Sequence, residues 1–286
     1  MTLAVLGLIL AAAFMHATWN YLAKRAGGGA AFVWLCAVLS TVGYTPLALA
    51  VVVWQQPTIG LIQLVFILIS AGLHIIYFVV LQRGYRSGDL SVVYPLARGT
   101  GPLLATVAAI IFFGERPTPL AIGGALLVAI GVFMVTGGFA TLLGNHSGEG
   151  ITYGVLTGAI IAAYTIADKQ SVSMLLIPPL LLDYGATLGR VILLAPVAYR
   201  QRTEVSREWR QHRREVLGVA ALTPLAYILV LTALVSTPVS YVAPAREISI
   251  LIGVMMGSRL LGEGGTHRRM VAAGIMVAGI AALALG

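Results

Sequence analysis

Two arginines stand where an arginine is costly. Arg98 lies about ten residues into an otherwise apolar run, and Arg246 is its counterpart in a second such run. An ionised side chain at membrane depth costs roughly 2.5 to 3.5 kcal/mol on insertion scales, so each needs an interior partner or a function. Tyr94 precedes Arg98 by one helical turn and shares its face. Pro95 and Pro244 each remove a helix hydrogen bond just before the arginine, and Gly99 and Gly101 loosen the helix behind Arg98. An interrupted helix carrying a cation near the midplane is what binding of an anionic group requires. The spacing therefore predicts a site for a carboxylate or phosphate-like group. The structural alternative pairs these arginines with Glu247, Asp183 or backbone carbonyls, and for Arg246 the adjacent Glu247 points that way.

Other residues in the apolar runs suit proton chemistry or cavity lining. His16 falls eight residues before Lys24, and His74 lies in the middle of another run. An unperturbed imidazole titrates near pH 6.5, so modest changes of environment switch its charge. A hydrogen-bonded packing role is the bland alternative for both histidines. Glu247 and Asp183 are the carboxylate candidates for proton coupling, with Arg190 two turns from Asp183 on one face. Trp19, Asn20, Tyr164 and Tyr241 are the further candidates for substrate contact, although a tryptophan near a helix end also serves as an interfacial anchor.

The elements that position these groups must be membrane helices. Of 286 residues, 59% are hydrophobic and 10% charged, and the mean hydropathy is +0.94. A soluble domain carries about 25% charged residues. Apolar segments fall at approximately 2–23, 30–54, 60–82, 89–113, 118–137, 150–168, 174–199, 215–235, 238–261 and 269–286. Lipid cannot satisfy exposed backbone groups, and no alternating barrel pattern occurs, so ten transmembrane helices are predicted. Little chain remains for an extramembrane domain. The first segment lacks a basic n-region and a cleavage site, which reads as a helix and not as a signal peptide. Cys36 is the single cysteine, which excludes an intrachain disulfide.

The net charge of +8 is a topology signal and implies no nucleic-acid partner. Lys24, Arg25, Arg83, Arg86, Arg200, Arg202, Arg207, Arg210, Arg213, Arg214, Arg268 and Arg269 follow odd-numbered segments, and the other side offers Arg116 and Lys169. The positive-inside rule then makes the odd-numbered loops cytoplasmic and puts both termini outside. Residues 200–215 form a basic loop, read first as an orientation signal near anionic headgroups.

The two halves repeat one another. Ser91…Tyr94-Pro95…Arg98 opens one run that closes on Gly114-Glu115, and Ser240-Tyr241…Pro244…Arg246 opens another that closes on Gly262-Glu263. Arginine to glutamate is seventeen positions in both, and Gly131 and Gly279 fall sixteen beyond. Upstream, Trp19-Asn20…Lys24 matches Tyr164-Thr165…Lys169. The division is 1–140 and 150–286, with a hinge at 141–149. Five helices per unit insert the second unit upside down, an inverted repeat with its site near the midplane between the halves. Small residues at four-residue spacing, Ala125–Ala129, Gly274–Ala278 and Ala278–Ala282, suggest a scaffold that joins the halves.

On these features the chain resembles EamA-type members of the drug/metabolite transporter superfamily: ten helices, His16-Ala-Thr-Trp19-Asn20…Lys24 at the end of helix 1, and Gly-Glu closing helices 4 and 9. The resemblance implies carrier-type transport of a small metabolite across the inner membrane, often export, without ATP hydrolysis. Such proteins are usually drawn with both termini cytoplasmic, whereas the charges here argue the reverse. The small multidrug-resistance relatives carry a proton-coupled carboxylate at a place like that of His16; Ile161 stands there in the second copy. A lipid or lipid-linked-sugar translocator, or efflux of hydrophobic cations, is the alternative on the same fold. No catalytic signature (HExxH, GxSxG or Walker loop) occurs, so no enzyme, metal or cofactor is expected. With both repeats in one chain, a monomer is expected to suffice.

Overall fold

The computed structural model describes residues 1–26, 29–87, 90–136, 148–261 and 266–286. Every regular element among them is an α-helix: α1 (Leu3–Ala26), α2 (Ala30–Gln55), α3 (Leu61–Ser87), α4 (Leu90–Phe113), α5 (Pro119–Thr136), α6 (Gly148–Ser173), α7 (Pro179–Arg200), α8 (Arg202–Gln211), α9 (Arg213–Ser236), α10 (Val239–Ala245), α11 (Ile248–Leu261) and α12 (Thr266–Leu285). Seven of them, α1–α4, α6, α7 and α9, are long and apolar enough to cross a bilayer, and α5 and α12 hold shorter apolar stretches. Their outer faces carry bare apolar side chains such as Leu61, Leu68, Ile111, Phe112, Ile192 and Leu193, an arrangement stable only against lipid. The chain is an all-helical, multi-pass membrane protein.

Two local expectations differ from the structure, at the loop 200–215 and in α4, while the interruption expected before Arg246 is present. The basic loop 200–215 contains a helix, α8, which has no glycine or proline and an Arg207–Glu204 ion pair one turn apart. Its Val205 and Trp209 face Leu35 and Leu39 of α2, while Arg202, Arg207 and Arg210 stay exposed. The ninth apolar segment is not one helix: α10 stops at Ala245 and α11 starts at Ile248. Its first-half counterpart, α4, runs unbroken through Pro95, Gly99, Gly101 and Pro102. Gly99 and Gly101 do not loosen it; they admit Phe133 of α5 and Ile161 of α6 against its backbone. The hinge residues 141–147, and the Gly262-Glu263 pair, lie outside the described residues.

Helix contacts follow an exchange of the two halves. α1 packs on α9 as α6 packs on α3; α4 on α6 as α11 on α1; α3 on α7 as α9 on α2. α2 and α7, α5 and α12, and α4 and α10 pair with their own counterparts. The α5–α12 crossing repeats the exchange at the level of single residues. A Cβ on Gly124 would stand 2.6 Å from the carbonyl oxygen of Gly279, and a Cβ on Gly279 would stand 2.7 Å from that of Gly124. One on Gly131, the counterpart of Gly279, would stand 3.1 Å from the carbonyl oxygen of Ala272. The joining scaffold is therefore real at Ala125 and Ala129, which are buried. On α12 it uses Ala272, Met276 and Gly279, whereas Gly274 and Ala278 face outward.

The two ends of the bundle are polar in different ways. At one end Arg25 of α1 meets Glu215 of α9 at 3.4 Å, beside α8 and the other basic residues. At the opposite end Glu115, between α4 and α5, accepts hydrogen bonds from Val239 N (2.7 Å), Ser240 N (2.9 Å) and Ser240 Oγ (2.6 Å). A carboxylate is well placed there, because the first amides of α10 have no intrahelical partner and carry partial positive charge. Lys169 makes the complementary contact with the last turn of α9, donating to the carbonyls of Leu234 (2.7 Å) and Thr237 (3.2 Å).

Candidate functional site

Halfway along the bundle, α4 and the α10–α11 joint bring Arg98, Arg246 and Glu247 together. The joint is made of three-residue turns: Glu247 N bonds Pro244 O (3.1 Å), Ser249 N bonds Arg246 O (3.2 Å) and Ile250 N bonds Glu247 O (2.9 Å). Tight turns of this kind inside a helix commonly mark a functional joint. They aim two successive side chains inward. Glu247, 1% exposed, takes Arg98 Nη2 at 2.9 Å on one oxygen and Arg246 Nε at 3.4 Å on the other. Two cations thus share one carboxylate. Arg98 Nε is buried without a hydrogen-bond partner, and the Arg98–Glu247 contact is an ion pair by distance without hydrogen-bond alignment.

Aromatic groups wall this triad. Arg246 lies over the Tyr164 ring at 5.8 Å from its centroid and reaches Thr165 Oγ1 at 3.5 Å. Tyr164 stacks on His74 at 4.4 Å, with Tyr77 edge-on to Tyr164 at 5.9 Å and Tyr227 edge-on to His74 at 5.3 Å. His74 Nδ1 sits 2.8 Å from Ser70 O, and since a carbonyl only accepts, that nitrogen carries the proton. The Tyr227 hydroxyl donates to Asp168 Oδ2, while Asp168 Oδ1 is buried without a partner. Tyr94 and Tyr77 lie within the field of Arg98 and Glu247, and His16 within that of both arginines.

The predicted residues thus separate into two groups. Arg98, Tyr94, Arg246, Glu247, Tyr164, His74 and His16 converge on one cluster inside the bundle. Asp183 stands to its side, within the fields of Arg190 and Asp168. Trp19 packs edge-on to His16 (4.8 Å) and against the cluster of Phe32, Cys36 and Val216, its indole N–H buried without a partner. Asn20 is exposed, its amide donating to the His16 carbonyl at 2.7 Å. Tyr241 belongs to the far end of the bundle: its hydroxyl donates to Gly286 O (3.3 Å) and accepts from Thr118 N (3.4 Å).

Sequence reasoning missed Tyr77, Tyr227, Thr165 and Asp168. Asp168 falls at the expected end of the sixth segment, where a charge is ordinary; α6 continues to Ser173 and takes it indoors. Tyr77 has a signal in hindsight, one turn beyond His74 on the same helix.

Comparison with known proteins places the chain in a family. No curated protein matches the chain. A solved structure described only as "Crystal structure of protein" superposes with a TM-score of 0.77 at 14% identity, covering 100% of this chain and 98% of that one. At that identity the likeness is one of fold. The model of the EamA-like transporter family matches twice, over residues 3–137 and 148–285, the same division into halves that the helix contacts follow. The chain belongs to the EamA-like transporter family.

Proposed function

We propose that this protein is a secondary carrier, with ten crossings in two inverted five-helix halves, that moves a small anionic or zwitterionic metabolite across the inner membrane. One observation carries the reading: two largely buried guanidiniums share a single carboxylate, and one retains an unused N–H. That triad holds one positive charge in excess, inside a wall of rings and hydroxyls. An incoming carboxylate would neutralise it and fill the idle donor, and charge-assisted bonds of this kind are the strong ones. Tyr94, Tyr164 and Thr165 orient the rest of the substrate. Exchange of the halves' conformations would carry the site from one face to the other.

The test is a thermal-shift screen of purified wild type and Arg98→Gln against amino acids, organic acids, phosphonates, cations and lipids. In Arg98→Gln, Glu247 keeps Arg246, so the fold survives. An anion at a hundred times its dissociation constant should stabilise wild type by about 2.7 kcal/mol, and should leave Arg98→Gln unmoved. Stabilisation of both proteins alike, by cations or lipids only, sinks the anion site and turns the reading to drug efflux or lipid translocation.

The charged end of the bundle around α8 is the cytoplasmic one in this reading, and both termini lie outside. Single cysteines placed after Thr2 and before Gly286 in a Cys36→Ser background should react with a membrane-impermeant maleimide in intact cells. Labelling only after lysis reverses the orientation. A single chain holds both halves, so a monomer suffices.

A further inference from the structure

Asp168 is 0% exposed, yet no ion pair to it occurs among the described residues. Its neighbour Lys169 turns away to the carbonyls of α9. One carboxyl oxygen accepts the Tyr227 hydroxyl and the other has no partner. A carboxylate stripped of water and given no cation costs several kcal/mol, and in practice such a group neutralises by binding a proton. We propose that Asp168, held by Tyr227 beside His74, is the proton-carrying site of this carrier. The inference rests on the carrier reading above and adds a second site to it.

The surroundings support a proton that comes and goes. From α9 the carboxyl faces Tyr227, and from α3 it faces His74, with Tyr77 behind. From α7 Asp183 stands within its field, with Arg190 beyond Asp183; from the α10–α11 joint Arg246 acts on the same Tyr227 and His74, with Glu247 beyond it. On α4, Arg98 lies past Tyr164. None of these cations is committed to Asp168: Arg246 and Arg98 share Glu247, and Arg190 stands with Asp183. The proton site and the anion site nevertheless share a wall. Tyr164 carries Arg246 on its face and His74 stacked against it, and Thr165, which Arg246 touches, is one turn before Asp168 on α6. An anion that draws Arg246 off Tyr164 disturbs the ring against which His74 is held. The chemistry is one O–H bond: Asp168 takes a proton from water on one side of the membrane and returns it to water on the other.

The test is pH-induced infrared difference spectroscopy on the full chain in lipid nanodiscs, without substrate. The Asp183→Asn parent, which lacks the neighbouring buried carboxyl of α7, should show the C=O stretch of a buried protonated carboxyl appearing as the pH is lowered. Adding Asp168→Asn to that parent should abolish the band, while adding Glu247→Gln keeps it. Tyr227→Phe removes one hydrogen bond from the group and should move the band's position. Survival of the band once Asp168→Asn is added, or its absence from the Asp183→Asn parent, overturns the proposal. Should Asp168→Asn fail to fold, Tyr227→Phe decides alone: an unmoved band overturns it. Because no anion is added, this outcome is independent of the thermal-shift screen, so failure of the proton site and failure of the anion site are read separately.

Discussion

Glu247→Ala is expected to melt on the order of 10 °C below the parent protein, the largest loss from any single substitution in the cluster around Arg98 and Arg246. Removing one member of a buried ion pair costs about 3–5 kcal/mol, because the partner is left charged and unpaired. Here the loss strands two guanidiniums at once, Arg98 at 2.9 Å and Arg246 at 3.4 Å from the same carboxyl group. Arg246 keeps Tyr164 and Thr165, whereas Arg98 keeps an unaligned neighbourhood with its Nε idle. A second substitution, Arg98→Gln in the Glu247→Ala background, should therefore recover more than half of the lost stability. Thermal unfolding of the three variants in one detergent measures this. Equal melting of Glu247→Ala and wild type would mean that water, and not Glu247, compensates the arginines. The same geometry bears on the choice of probe for transport: Arg98→Gln leaves Glu247 paired, so a lost flux in that variant reports on the site and not on unfolding.

The second large effect belongs to the far end of the bundle. Glu115→Ala removes the acceptor of three hydrogen bonds from the first turn of α10, and two of those donors are helix amides with no other partner. Hydrogen bonds to a charged group contribute about 1.5–3 kcal/mol, and three to one carboxylate are not additive, so a loss of about 3 kcal/mol is expected. Ser240→Ala, which removes one of the three, should cost about 1 kcal/mol. A cysteine at Val239, buried in the parent, should react faster with maleimide once Glu115 is gone. If Glu115→Ala matches wild type in both melting and labelling, α10 is anchored by its apolar packing on α4 and α5 alone.

How much of this was legible beforehand depended on the kind of signal. Membrane helices announce themselves through length and apolarity, and nine of the ten apolar runs correspond to single helices. The fourth run misled because proline and glycine punctuate both copies: Pro95, Gly99 and Gly101 suggest a break in α4, where the glycines serve close packing. Only Arg246 and Glu247, two adjacent charges that must both point inward, force the backbone to open. Arg98, Arg246 and Glu247 were legible as a group because charge is expensive in lipid. Tyr77 and Tyr227 were not, since a tyrosine is ordinary on any helix and its place in a ring stack depends on how helices rotate about their axes. Asp168 needed the exact end of α6, which composition locates only to within a turn. α8 was read as a loop because its charge pattern matched an orientation signal equally well.

The α5–α12 crossing has a consequence for how this chain can change. At Gly124 and Gly279 the obstacle to a side chain is the other glycine's backbone oxygen, 2.6 and 2.7 Å from where the Cβ would sit. Trimming a neighbouring side chain, the usual second-site remedy for a steric error, therefore leaves the closest obstacle in place. Each glycine vetoes any replacement of the other, and neither can drift first. The thickness of the seam is set by two peptide groups and is not open to adjustment by sequence.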